Sequence, residues 1–156
     1  SKVYVIEFNA RWGDPEAQVL VPGITNDLFE ISLAVCEGRL DEIEIKRDKL
    51  SRVVVAGTAK GYPGSYEEVR GKQIFGLDEV RKVSGVRLYG AGVKKEGNKY
   101  YANGGRLFYL VGEGKTVVDA RQKVYQAMSL VSIEGNNLHY RTDIGWRDVQ
   151  RLRQKI

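Results

Sequence analysis

The chain has 156 residues with 42% hydrophobic and 29% charged side chains and only three prolines, the composition of a folded protein with a core of its own rather than a disordered or collagen-like chain. It carries a formal net charge of +5, no apolar run approaches the roughly 20 residues of a membrane-crossing helix, and the opening Ser1-Lys2-Val3-Tyr4 has neither an initiator Met nor a signal-peptide pattern. The single Cys36 excludes an internal disulfide, and with one histidine there is no Cys/His cluster for zinc, which fits a reducing compartment.

The charge is unevenly spread. Residues 1–50 hold 6 basic and 10 acidic side chains, and residues 51–156 hold 19 basic and 10 acidic. A basic second part suits an anionic partner such as a phosphate ligand or a nucleic acid, and equally suits a solvated surface.

Lys2 to Asn9 alternates, with Tyr4, Ile6 and Phe8 on one side and Val3, Val5, Glu7 and Asn9 on the other, which predicts a strand. Gly13-Asp14-Pro15 breaks it, and Gln18 to Val21 is a short apolar run closed by Pro22-Gly23. The next segment reads as a helix, capped by Asn26 or Thr25, with Asp27 and Glu30 in its first turn and Gly38 at its end. Its residues Leu28, Phe29, Ile31, Leu33, Val35 and Cys36 leave little polar face, so burial in a larger body is expected, and the chain is expected to begin partway through a domain.

The charged stretch Arg39 to Lys49 is a connector, and the character then changes. Of 18 glycines, 13 lie between Gly57 and Gly114, punctuating apolar runs at 52–56, 73–75, 86–89, 99–102 and 106–111. Short strands with frequent turns predict a compact barrel or sandwich. One helix interrupts it, with Thr116 and Asp119 as a capping box and Val117, Ala120, Val124, Met128 and Val131 as its core stripe. The basic tail from Ile144 ends in a turn or two of helix bearing Arg147, Arg151, Arg153 and Lys155. The fold class is α+β.

Glu7 and Asn9, two apart on a strand, offer a carboxylate and an amide oxygen to one point, a donor set that suits magnesium; a solvated strand edge is the alternative. Arg11 near the same edge can stabilise charge on a transferring phosphoryl or acyl-phosphate group. His139 stands outside any motif and reads as a structural or surface residue, and Cys36 has the spacing of a core position.

The string Val5-Ile6-Glu7-Phe8-Asn9-Ala10-Arg11-Trp12-Gly13-Asp14-Pro15-Glu16 closely resembles the last catalytic strand of the ATP-grasp superfamily as it occurs in the phosphoribosylamine-glycine ligase family. Gly61-Tyr62-Pro63-Gly64, Asn103-Gly104-Gly105-Arg106 and Arg141-Thr142-Asp143-Ile144-Gly145-Trp146-Arg147 follow in that family's order and approximate spacing. The resemblance implies that residues 1–49 end an ATP-grasp domain and residues 50–156 form the β-barrel or sandwich C-terminal domain. It implies a cytoplasmic ligase of purine biosynthesis that uses ATP as co-substrate to activate glycine as an acyl phosphate, which 5-phosphoribosylamine then attacks. Glu7 and Asn9 would be ligands of Mg2+ or Mn2+, Arg11 catalytic, and Asp14 and Arg106 substrate-binding, although the turn ending at Arg106 also reads as a structural hairpin. Partners would be glycine, 5-phosphoribosylamine, ATP and an N-terminal remainder of the ligase, without which this chain is expected to be inactive. The alternatives are a stand-alone basic barrel that binds nucleic acid and a different ATP-grasp carboxylate-amine ligase.

Overall fold

The structure is a computed structural model, and it describes residues 2–154. Two four-stranded antiparallel sheets and one long helix enclose the core. The first sheet is built on β1 (Ser51–Ala59) and β6 (Arg106–Gly114), flanked by β3 (Val86–Gly90) and β8 (Leu138–His139) in the order β3-β6-β1-β8. The second joins β2 (Gln73–Phe75), β4 (Val93–Glu96), β5 (Lys99–Ala102) and β7 (Ser132–Ile133) in the order β4-β5-β2-β7.

Register decides which face of the first sheet is core. Val53 pairs with Gly112, Val55 with Leu110 and Gly57 with Phe108, and these side chains share one face by strand alternation. The helix α4 (Val117–Met128) lies on that face and buries Ala120, Val124, Ala127 and Met128. Its expected capping box is present, with Thr116 Oγ1 accepting from Asp119 N at 3.1 Å and Asp119 Oδ2 accepting from Thr116 N at 3.1 Å. The helix sits close because β6 presents glycine where it crosses: a Cβ on Gly112 would stand 2.1 Å from the Ala120 carbonyl oxygen. The opposite face carries Arg52, Val54, Ala56 and Thr58 from β1 beside Glu113, Val111 and Tyr109 from β6, and a bulge between Gly57 and Thr58 sets Arg106 opposite Thr58.

That second face is partly covered by the N-terminal region. A short helix α1 (Ala17–Leu20) packs on β1 and β6. Arg52, with a side chain only 5% exposed, pairs with Asp48 and with Glu113 at 2.8 Å, and donates to the Pro22 carbonyl at 3.2 Å. Burial would raise the Glu113 carboxyl, but Arg87 and Arg52 outweigh it and hold Glu113 below its ordinary value. The Arg52 guanidinium, helped by the Leu50 N–H, lowers Asp48 to about 2.

Two expectations for the first 50 residues are corrected. Residues 2–9 form no strand, and Tyr4, Ile6 and Phe8 all lie exposed. An extended segment needs a neighbour for its N–H and C=O groups, and among the described residues this one has none. The helix α2 (Leu28–Glu37) forms and ends at Gly38 with φ +69°; Phe29 is 68% exposed and Ala34 is its one buried residue, so the described residues do not cover the apolar face for which a larger body is expected. Asp27 caps it by accepting from Phe29 N at 2.8 Å. Asn26 instead bonds the connector, accepting from Lys46 N at 2.6 Å and donating to Glu44 O at 3.1 Å.

The short helix α3 (Leu77–Val80) and the strands β4, β7 and β8 are absent from the sequence reading. The tail helix α5 (Trp146–Arg153) forms as expected, while Lys155 lies outside the described residues. No helix among the described residues is long and apolar enough to cross a membrane.

Candidate active site

The three residues expected at a phosphoryl-transfer edge are adjacent. Asn9 Nδ2 donates to Glu7 Oε1 at 3.2 Å, and Arg11 Nη1 donates to Asn9 Oδ1 at 3.4 Å and to the Trp12 carbonyl at 2.6 Å. Their i, i+2, i+4 spacing keeps all three side chains within reach in an extended segment even without a sheet. All are exposed.

Three residues further on, Asp14 is fastened to the β-sheet. Its Oδ1 accepts from Gln18 Nε2 at 3.1 Å and its Oδ2 from the Tyr109 hydroxyl at 3.0 Å. Arg106 Nη1 donates to the Asp14 carbonyl at 3.0 Å and lies 3.4 Å from Oδ2, while Arg106 Nε donates to the Tyr62 hydroxyl at 2.7 Å. Asp14 and Arg106, 92 positions apart, are therefore one cluster. Burial pushes the Tyr109 phenol up, Arg106 opposes that, and the Asp14 carboxylate adds to it, so Tyr109 stays a proton donor. Among the described residues no side-chain hydrogen bond or ion pair joins Glu7, Asn9 or Arg11 to the sheet, and Trp12 and Gly13 alone separate Arg11 from the Asp14 anchor.

Beside this cluster lies a cleft of about 430 Å³ over the outer face of β1. Its floor is Val54, Ala56 and Thr58, and its walls include Tyr62, Arg106, Arg141 and Ile144. Residues from the Gly61–Gly64, Asn103–Arg106 and Arg141–Arg147 segments thus share one cavity with Pro15. The exposed His139 stands on its rim, and its carbonyl accepts from Thr58 Oγ1 at 3.0 Å.

Local sequence pattern points to no role for Tyr62, Tyr109 or Arg141. Tyr62 and Arg141 stand inside the Gly61–Gly64 and Arg141–Arg147 motifs, which is the signal that marks them. Tyr109, paired with Ala56 in the antiparallel register of β1 and β6, meets Asp14 from 95 positions away, which local pattern does not encode. Cys36 is exposed on α2 among the described residues.

The profile of the family described as "Phosphoribosylglycinamide synthetase, C domain" matches residues 52–147. The chloroplastic phosphoribosylamine-glycine ligase of Arabidopsis thaliana is 41% identical over 154 residues, covering 97% of this chain and 27% of that protein. The phosphoribosylamine-glycine ligase of Vibrio cholerae is 36% identical, over 97% of this chain and 34% of its own length. The crystal structure of the Thermotoga maritima phosphoribosylamine-glycine ligase superimposes with a TM-score of 0.63 at 31% identity, over 90% of this chain and 33% of that one. The chain spans about a third or less of these relatives, and none of their names supports the nucleic-acid alternative.

Proposed function

The chain belongs to the phosphoribosylglycinamide synthetase C-domain family, and on that premise we propose that it is the C-terminal part of an ATP-dependent ligase of purine biosynthesis. In this reading residues 1–49 end an ATP-grasp domain and residues 50–156 form the C-terminal domain. The product is glycinamide ribonucleotide, made from glycine and 5-phosphoribosylamine with release of ADP and phosphate. The observation that carries the reading is the convergence of separate segments: Asp14, Tyr62, Tyr109 and Arg106 are joined by hydrogen bonds next to the Glu7, Asn9 and Arg11 row.

Glu7 and Asn9 would fit a hard divalent cation: Asn9 presents its amide nitrogen to Glu7 and its oxygen to Arg11, and a turn of that amide brings one carboxylate and one amide oxygen together and leaves the remaining positions to phosphate oxygens and water. Bound Mg2+ or Mn2+ would supply charge neutralisation on the nucleotide phosphates. Arg11 supplies a fixed guanidinium to the phosphoryl group while the glycine carboxylate oxygen displaces ADP, and again while the phosphoribosylamine nitrogen displaces phosphate from the glycyl carbonyl. Asp14 and Arg106 orient substrate at the sheet side, with Tyr62 and Tyr109 holding both in place. The 156-residue chain alone does not turn over.

The test is glycine- and phosphoribosylamine-dependent ADP release by the complete ligase. Glu7→Gln keeps the size of the side chain and removes its charge, and ADP release should fall at least a hundredfold and not recover with excess Mg2+ or Mn2+. Near-normal turnover by this variant removes the metal assignment, and turnover by the isolated chain removes the partnership.

A further inference from the structure

We propose that the cleft over β1, which shares Arg106 and Tyr62 with the substrate cluster, binds a small anion carried on an aromatic ring, of mononucleotide size. Small-ligand sites are concave, mostly apolar and hold a few placed polar groups, with volumes of roughly 300–1,000 Å³. This cleft, at about 430 Å³, has that character: Val54, Ala56, Pro63 and Ile144 make it apolar, and no Asp or Glu lines it. A bare phosphate or a sugar would gain little from such a floor, whereas an aromatic ring would bury against it.

The charged groups stand where an anion on that ring would meet them. Arg106 and Arg141 both line the cleft, from chain segments 35 residues apart. Arg141 pairs bidentately with Asp143, Nε to Oδ1 at 2.9 Å and Nη2 to Oδ2 at 2.8 Å, an exposed ion pair that leaves Nη1 without a hydrogen-bond partner among the described residues. Tyr62 accepts from Arg106 and retains its own hydroxyl hydrogen for a ligand.

The wall bearing Arg141 and Ile144 is irregular, yet α4 pins it. Arg121 donates to the Ile144 and Thr142 carbonyls, each at 2.8 Å. Tyr125 donates to the Arg141 carbonyl at 2.8 Å and accepts from Ile144 N at 3.2 Å. Four hydrogen bonds to one short loop give a preformed wall, and preorganisation of this kind lowers the ordering cost of binding.

The site is separate from the Glu7–Asn9 pair and is tested without metal or turnover. The 156-residue chain is titrated calorimetrically with adenosine 5′-monophosphate in the presence of EDTA, with adenosine and inorganic phosphate as the two partial probes. Saturable one-to-one binding of the monophosphate is expected, at least tenfold weaker for each partial probe. Arg141→Ala, at an exposed position, and Ala56→Trp, which fills the floor, should each weaken it at least tenfold, while Glu7→Gln leaves it unchanged. No saturable binding, equal binding of phosphate alone, or binding that Arg141→Ala leaves intact overturns the proposal. Loss on Glu7→Gln places the ligand elsewhere and overturns it too. Failure of the ligase assay bears on the catalytic reading alone.

Discussion

Replacing Gly112 by alanine adds one methyl group where β6 crosses beneath α4. The new Cβ would lie 2.1 Å from the Ala120 carbonyl oxygen and 2.9 Å from Val124 N, both backbone atoms of α4. Ordinary contact begins near 3.4 Å, so the helix must move away from β6 by about 1.3 Å or the strand must yield by as much. No flexible side chain can absorb this, and the displaced helix carries Ala120, Val124, Ala127 and Met128 away from the sheet. Overpacking costs about 1–3 kcal/mol, and a backbone obstacle puts this case near the upper end, about 3 kcal/mol. For a chain of this length that is a fall in Tm of about 10 °C. The control is Gly90→Ala, where an added Cβ meets nothing within 4 Å and a change within about 0.5 kcal/mol is expected. Both variants are followed by urea unfolding and by thermal melts monitored by circular dichroism, with the m-value checked for constancy. A Gly112→Ala chain within about 1 kcal/mol of Gly90→Ala at unchanged m would refute the claim that backbone proximity of β6 and α4 demands glycine.

Thr116→Ala removes the acceptor for Asp119 N in the capping box and should cost about 1 kcal/mol by urea unfolding, with no change in the far-UV spectrum at neutral pH. Arg52→Met removes the cation shared by Asp48 and Glu113 and leaves Glu113 with Arg87 alone, so it should lower the urea midpoint and make residues 14–48 more open to limited proteolysis. Asp48 and Glu113 both have lowered folded-state pKa values, so the unfolded chain binds more protons in acid and stability rises with pH. Their contribution is present above the ordinary carboxylate range and is lost as pH falls from about 4 toward 2, which melting curves across that window will show as a steeper loss in the native chain than in Arg52→Met.

Local pattern settled those features whose cause is local. The capping box of α4, its buried stripe, the left-handed Gly38 and the longer strands follow from residue types at short spacing, and the structure places them there. The two-residue strands β7 and β8 are too short to carry a period, and the residues of β4, Val93-Lys94-Lys95-Glu96, look like a polar turn until β5 gives them a partner. The nearness of Glu7, Asn9 and Arg11 was legible because it needs only alternation along an extended chain. The bond from Tyr109 to Asp14, and the cleft that gathers Pro15, Tyr62, Arg106, Arg141 and Ile144, depend on antiparallel register, on a bulge after Gly57 and on the loop that α4 holds down. Those are contacts between residues dozens of positions apart, fixed by the packing of the whole chain, and no window of sequence contains them.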